Sequence, residues 1–307
     1  MIREPSVSVI IPFYNTPGRF FAEAVESVLL QSFDSWELLL VDDGSAGECS
    51  ALAQAWALRH PGRVRYLEHH GHENRGLSAS RMLGVWAARG KYIAFLDSDD
   101  LWLPRKLEQQ IALMAAHPEA AMVYGKSQYW YSWTGDEQDR LRDYTPQVGV
   151  RGATLVAPPK LLPLYLRGLA AVPCTCSILI RREIFDEIGG FEDSFRAMYE
   201  DQAFYAKVCL ATPILVADVC WDRYRQHPTS MCSVAERTGQ ERAARLAFLH
   251  WLEGYITERR INNHELWAAL REELARCDQA GRQRLPRGAR IKRRVRKFMS
   301  RIRGYVV

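Results

Sequence analysis

Cysteine is scarce in this 307-residue chain, and its seven copies are an odd number. That excludes a small scaffold stapled by disulfides and makes free thiols the simpler expectation. The one tight pair, Cys174-Thr175-Cys176, cannot by itself close a four-ligand zinc site. Long apolar runs are also missing. The most apolar stretch, Leu161 to Ile180, is broken by Pro163, Arg167 and Pro173. It falls short of the ~20 clean residues that a bilayer span needs. The first residues, Met1-Ile2-Arg3-Glu4-Pro5, carry an acid and a proline and lack the apolar core of an export signal. Internal repeats are absent. The expectation is a cytoplasmic protein, soluble or peripheral on the inner face of the cell membrane.

Acid is missing after Asp278, whereas eleven Lys and Arg fall between Arg282 and Arg303. Without those eleven, 30 basic residues face 36 acidic ones, so a mildly acidic body carries a polycationic tail. Within the tail, Ile291, Val295, Phe298, Met299 and Ile302 form one helical stripe. A basic amphipathic helix suits an anionic membrane surface. A helix packed on the body, or a solvated tail, remains open. Nucleic acid is not an expected partner, because the tail lacks interleaved aromatics and the body is net acidic.

What is present is ordinary for a globular chain: 48% hydrophobic and 25% charged residues, enough for one large domain or two small ones. Over the first 125 residues, strand and helix patterns alternate. Val7 to Pro12, Trp36 to Val41, Val64 to Leu67 and Tyr92 to Leu96 read as strands, and Ala121 to Tyr124 as a fifth. Helical spacing falls between them. Near-continuous apolar strands alternating with helices predict an α/β fold, a mostly parallel central sheet flanked by helices. Residues 126–172, rich in aromatics and prolines, read as loops and short helices over the sheet. From Ala235 onward the pattern is helical.

Two acidic clusters stand where strands end. Asp97-Ser98-Asp99-Asp100 follows one strand and Asp42-Asp43-Gly44-Ser45 another. Ligands of such sheets bind at the carboxyl ends of strands. Crowded carboxylates repel one another unless a hard divalent cation binds them, and oxygen donors suit magnesium or manganese. The same residue types also make tight turns and helix caps. Two clusters at neighbouring strand ends favour a nucleotide site over two coincidental turns.

Four segments occur in order: Ile11-Pro12-Phe13-Tyr14-Asn15, Val41-Asp42-Asp43-Gly44-Ser45, Asn74-Arg75-Gly76-Leu77-Ser78-Ala79-Ser80-Arg81 and Phe95-Leu96-Asp97-Ser98-Asp99-Asp100. Together they resemble the family 2 glycosyltransferases of GT-A fold, over about residues 5–230. That family moves a sugar from a nucleotide-diphosphate sugar to an acceptor hydroxyl with inversion. The resemblance implies that Pro12, Tyr14 and Asn15 line the nucleotide pocket and that Asp43 bonds the base. It implies that Asp97 holds the ribose or a metal-bound water, that Asp99 ligates Mn2+ or Mg2+ directly, and that Arg81 approaches the diphosphate. Met82 and Arg75 depart from the family pattern beside that last contact.

Two later segments carry the same resemblance. Glu200-Asp201 is similar to the family's catalytic acidic pair, which implies Asp201 as the general base and Glu200 as its orienting partner or an acceptor ligand. An acidic pair in a helix's first turn is also favoured by the macrodipole alone. Tyr224-Arg225-Gln226-His227-Pro228 is similar to the segment whose histidine can join the metal.

The expected organisation is a glycosyltransferase domain over residues 1–233, with a nucleotide-sugar half to about 125 and an acceptor half over 126–233. A helical extension, 234–307, would end in the basic tail 282–307. The acceptor expected is a polysaccharide, lipid-linked or surface-glycan precursor. A nucleotidyltransferase that makes nucleotide sugars would want a glycine-rich basic loop after the first strand, and Pro12 to Gly18 offers none. A non-catalytic membrane scaffold of the same fold is opposed by the intact Asp97, Asp99 and Asp201.

Overall fold

The computed structural model describes residues 4–196 and 198–284, with only the backbone of 280–284. The predicted amphipathic stripe, residues 291–302, lies outside the described residues. The strands are β1 (Val7–Phe13), β2 (Trp36–Asp42), β3 (Val64–Glu68), β4 (Tyr92–Phe95), β5 (Leu101–Trp102), β6 (Met122–Trp130), β7 (Thr154–Val156), β8 (Leu179–Arg181) and β9 (Ile214–Arg225). The α-helices between them begin with α1 (Gly18–Leu29), α2 (Gly47–Arg59), α3 (Leu77–Ala87) and α4 (Lys106–Ala116). Then come α5 (Glu137–Arg140), α6 (Leu161–Arg167), α7 (Ile184–Ile188), α8 (Glu200–Ala211), α9 (Met231–Thr238), α10 (Glu241–Glu258) and α11 (His264–Arg284).

One nine-stranded sheet runs in the order β3-β2-β1-β4-β8-β6-β9-β5, with β7 also paired to β9. β1 and β2 are buried along their whole length, as unbroken apolar runs require in a sheet covered on both faces. Alternate residues point to opposite sides. Ile10, Leu39 and Val41 join the core packed by α3, and Val9, Ile11, Leu38 and Leu40 join the one packed by α1 and α2. Apolar faces of α10 and α11, including Phe248, Leu252 and Leu270, belong to the first of these cores.

The parallel expectation holds from β3 to β4. Beyond β4 the sheet is mixed, since β8 runs antiparallel to both β4 and β6 while β6 and β9 are parallel. Irregular structure was expected from residue 126, whereas β6 continues to Trp130. Register shifts around Lys126 explain the missed signal, because a bulge resets the inside–outside alternation that marks a strand. Past the bulge, β6 and β9 carry Tyr129 and Tyr224 toward the carboxyl edge of β1, β2 and β4. No helix among the described residues is long and apolar enough to cross a membrane. All seven cysteines are free thiols.

Candidate active site

A cleft of about 720 Å3 opens along that edge. Pro12, Tyr14, Asp43, Asp97 and Asp99 line it from the ends of β1, β2 and β4. Arg81 lines it from α3, and Glu200 and Asp201 from the start of α8. Tyr14 is 54% exposed at the mouth. Three carboxylates far apart in the chain, Asp43, Asp99 and Asp201, therefore share one cavity.

Asp42 and Asp43 divide two tasks. Asp42 is fully buried and accepts hydrogen bonds from the Ser45 amide, the Ser50 hydroxyl and the Tyr66 hydroxyl. It shapes the turn. Asp43 turns the other way and accepts from the Arg75 and Gly76 amides at 2.8 and 3.0 Å, so the loop before α3 is tied to the end of β2. Gly44 makes this approach sterically possible. Its φ is 80°, and a Cβ there would lie 2.8 Å from the Asn74 amide nitrogen.

Asn15 is not among the cleft-lining residues. Its side-chain oxygen accepts from the Ala46 amide at 2.6 Å, and its own amide donates to Ser45 Oγ. In this position, at φ 49°, it clasps the loops after β1 and β2 together. His227 also stands off the cleft wall, behind Asp99. Its Nε2 lies 2.9 Å from Asp99 Oδ2, and its Nδ1 lies 2.9 Å from Thr229 Oγ1.

Arg81 is 1% exposed and spans two carboxylates. Nη1 donates to Glu200 Oε1 and Nη2 to Asp97 Oδ1, both at 3.0 Å. Burial works against this guanidinium's charge, and Asp97 and Glu200 more than offset that effect. Partial burial nevertheless pushes the Asp97 carboxyl above its ordinary range despite Arg81. Asp201 is pushed up to about 7, first by desolvation and then by the adjacent Glu200 charge. Arg81 and the Gln202 amide pull it back only in part.

The family model described as glycosyl transferase family 2 matches residues 8–189. The chain belongs to this family. Among curated relatives, the putative glycosyltransferase EpsE of Bacillus subtilis is 35% identical over 146 residues, 48% of this chain and 51% of that protein. The putative teichuronic acid biosynthesis glycosyltransferase TuaG of the same organism is 42% identical over 112 residues, 36% of this chain and 42% of that protein. An uncharacterized glycosyltransferase of Rickettsia felis is 43% identical over 114 residues, 37% of this chain and only 18% of that protein. The chain thus spans about half or less of the length of these curated relatives. The structure of S. aureus TarS residues 1–349 with UDP superposes with a TM-score of 0.61 at 18% identity, covering 89% of this chain and 70% of that one. A mannosyltransferase from Pyrobaculum calidifontis, in complex with GDP-Man and Mn2+, gives 0.57 at 16% identity, covering 97% and 81%. At such identities the likeness concerns the fold.

Sequence reasoning missed the support beneath the acidic cluster that follows β4. Asp100 is fully buried and accepts from the Arg225 amide at 2.8 Å. Arg225, 1% exposed, donates from Nε to the Asp99 carbonyl and from Nη2 to Glu23 Oε2, both at 2.6 Å. Its guanidinium lies over Phe20 and Trp130. Arg225 stood inside the segment quoted for His227, but its partners come from α1 and from the loop after β4. No local spacing could have found them.

Proposed function

We propose that this chain is an inverting glycosyltransferase that moves a sugar from a nucleotide-diphosphate sugar to an acceptor hydroxyl. The observation that carries the reading is the convergence of Asp43, Asp99 and Asp201 on one cleft in a chain of this family. Asp43 accepts a hydrogen bond from the base, Pro12 and Tyr14 pack against the nucleoside, and Asn15 holds the loop that presents them. Asp97 faces the ribose with the oxygen that Arg81 leaves open. Asp201 takes the acceptor's proton as the hydroxyl oxygen attacks the anomeric carbon and the bond to the diphosphate breaks. A base that titrates near 7 is matched to that task at neutral pH. Glu200 sets the position of Asp201 through its place in the same helical turn.

The donor set of Asp99 and His227 fits Mn2+ or Mg2+. A carboxylate oxygen faces an imidazole nitrogen at 2.9 Å, and the ring's other nitrogen is engaged by Thr229, which orients the first. Among the described residues no group of three His, Cys, Asp or Glu side chains is arranged for a metal. Asp97, the third expected ligand, gives one oxygen to Arg81, so the reading leaves the remaining positions to substrate oxygens and water. A bound cation would neutralise charge developing on the leaving diphosphate.

The acceptor we propose is a polysaccharide, lipid-linked or surface-glycan precursor, in keeping with the name of TuaG. The reading includes a cytoplasmic location, with the basic tail 282–307 on an anionic membrane surface. Flotation with anionic vesicles tests the tail: removal of residues 282–307 should abolish binding, and unchanged binding would refute its role. A panel of nucleotide sugars, assayed for nucleotide release with manganese and with chelator, tests the enzyme. Transfer or slow donor hydrolysis is expected, lost in Asp99→Asn. No metal-dependent binding of any nucleotide diphosphate would sink the assignment.

A further inference from the structure

Arg81 stands in the cleft wall yet has its polar reach spent inward. Each terminal nitrogen gives one of its two hydrogens, to Glu200 and to Asp97, and with the residue only 1% exposed the other N–H groups, the unpartnered Nε among them, are covered. Phe191 covers the guanidinium at 5.2 Å, so the group is walled in on that side too. Moving it onto a diphosphate would leave two poorly solvated carboxylates without their partner.

The three partners come from α3, the end of β4 and the first turn of α8, separated by 16 and 119 positions in the chain. α8 begins under strain. Tyr199, which precedes it, adopts φ 72°, a left-handed conformation unfavourable for a non-glycine residue. Such a start persists only where contacts hold it. From behind, Arg245 of α10 donates to Gln202 Oε1 at 2.8 Å and lies over the Tyr199 ring, which stacks on Phe248. On the cleft side Arg81 grips Glu200, the neighbour of Asp201.

We propose that Arg81 is a positioning residue that locks the donor-side carboxylate Asp97 to Glu200, and so fixes the helical turn presenting Asp201, instead of binding the donor's diphosphate. The inference rests on the glycosyltransferase reading of the cleft. It gives the two substrate sides a common rigid link. Asp97 cannot shift when a donor binds without pulling on the turn that carries the base.

The test compares the unaltered protein with Arg81→Lys, Glu200→Gln and the double variant. It measures transfer kinetics and, separately, nucleotide-diphosphate affinity by calorimetry. Lysine retains charge but reaches one carboxylate, and glutamine keeps the shape of Glu200 but loses the charge that holds Arg81, so both singles preserve the packing while weakening the one Arg81–Glu200 ion pair. Glu200→Gln should lower kcat by tenfold or more while nucleotide Kd stays within threefold, and Arg81→Lys, which also loosens Asp97, should lower kcat by a larger factor than it raises Kd. The double should be little worse than the poorer single, because both break one link. Nucleotide Kd raised tenfold or more in Arg81→Lys with kcat retained would assign Arg81 to the diphosphate and overturn the proposal. Fully multiplicative losses in kcat would overturn it as well. If the unaltered protein neither transfers nor hydrolyses any donor, the functional reading itself has failed and the proposal falls with it.

Discussion

Replacing Asp201 with Asn should move activity and stability in opposite directions. The folded protein holds this carboxyl at about 7 against an ordinary value of 3.8, a gap of about three pH units. At pH 8 the group is ionised both folded and unfolded, so the folded state bears the whole cost of the charge. Below the unfolded value it is neutral in both states and the cost vanishes. At about 1.4 kcal/mol per pH unit the gap is worth roughly 4 kcal/mol, and solvent reaching the partly exposed side chain reduces this to about 2 kcal/mol. Asparagine removes the charge and still offers an oxygen to the Gln202 amide, which now donates to Asp201 Oδ1 at 2.7 Å. With an unfolding entropy of about 2 cal/mol/K per residue, Tm at pH 8 should rise by about 3 °C. At pH 5 the folded carboxyl is largely protonated, and the rise should be less than half as large. Transfer should fall by about 100-fold or more, because the amide cannot take the acceptor's proton. Thermal scans at both pH values, with chelator present, and initial rates at pH 8 measure these effects. A lower Tm at pH 8, or an equal gain at pH 5, would refute the claim that the fold holds this group against ionisation.

The same titration predicts that kcat/KM falls about tenfold for each pH unit below about 7, as Asp201 protonates. A profile flat to pH 5 would assign the base elsewhere. Gly44→Ala forces a Cβ onto the Asn74 amide at a positive φ, so it should cost about 2 kcal/mol and weaken nucleotide binding together. Denaturant titration and calorimetry read the two effects, and a neutral result would remove the steric argument for the Asp43 loop. Arg225→Met takes the buried partner from Glu23 Oε2 and from the Asp99 carbonyl while Arg19 still holds Glu23 Oε1, which should lower stability by about 2 kcal/mol and loosen metal-dependent nucleotide binding. Equal stability in denaturant would show that this buried guanidinium is dispensable.

Local pattern carried the first half of the molecule. β1, β2 and β4 were legible because strands buried on both faces are continuous apolar runs, and the ends of β2 and β4 were marked by the acids there. Parallel pairing of β3, β2, β1 and β4 then puts three of those ends on one edge, so Asp43 and Asp97 in one cleft followed from the sheet alone. The far half of the sheet was less legible. There a bulge erases the period in β6, and β5 and β7 are two and three residues long, too short to carry one.

What each polar side chain holds was decided only by tertiary structure. Asn15 clasps Ala46, Arg81 bridges Asp97 and Glu200, and Arg225 ties Glu23 to the carbonyl of Asp99. A motif specifies that a charged group stands near a site. It does not specify whether that charge faces a ligand or is spent on another segment, because the partner's distance along the chain can exceed a hundred residues, as it does for Arg81 and Glu200. Residue type and period are properties of neighbours in sequence, and so the sheet, its buried strands and the acidic strand ends could be read directly. The pairing of buried charges is set by desolvation and contact in three dimensions, and only the folded chain could settle it.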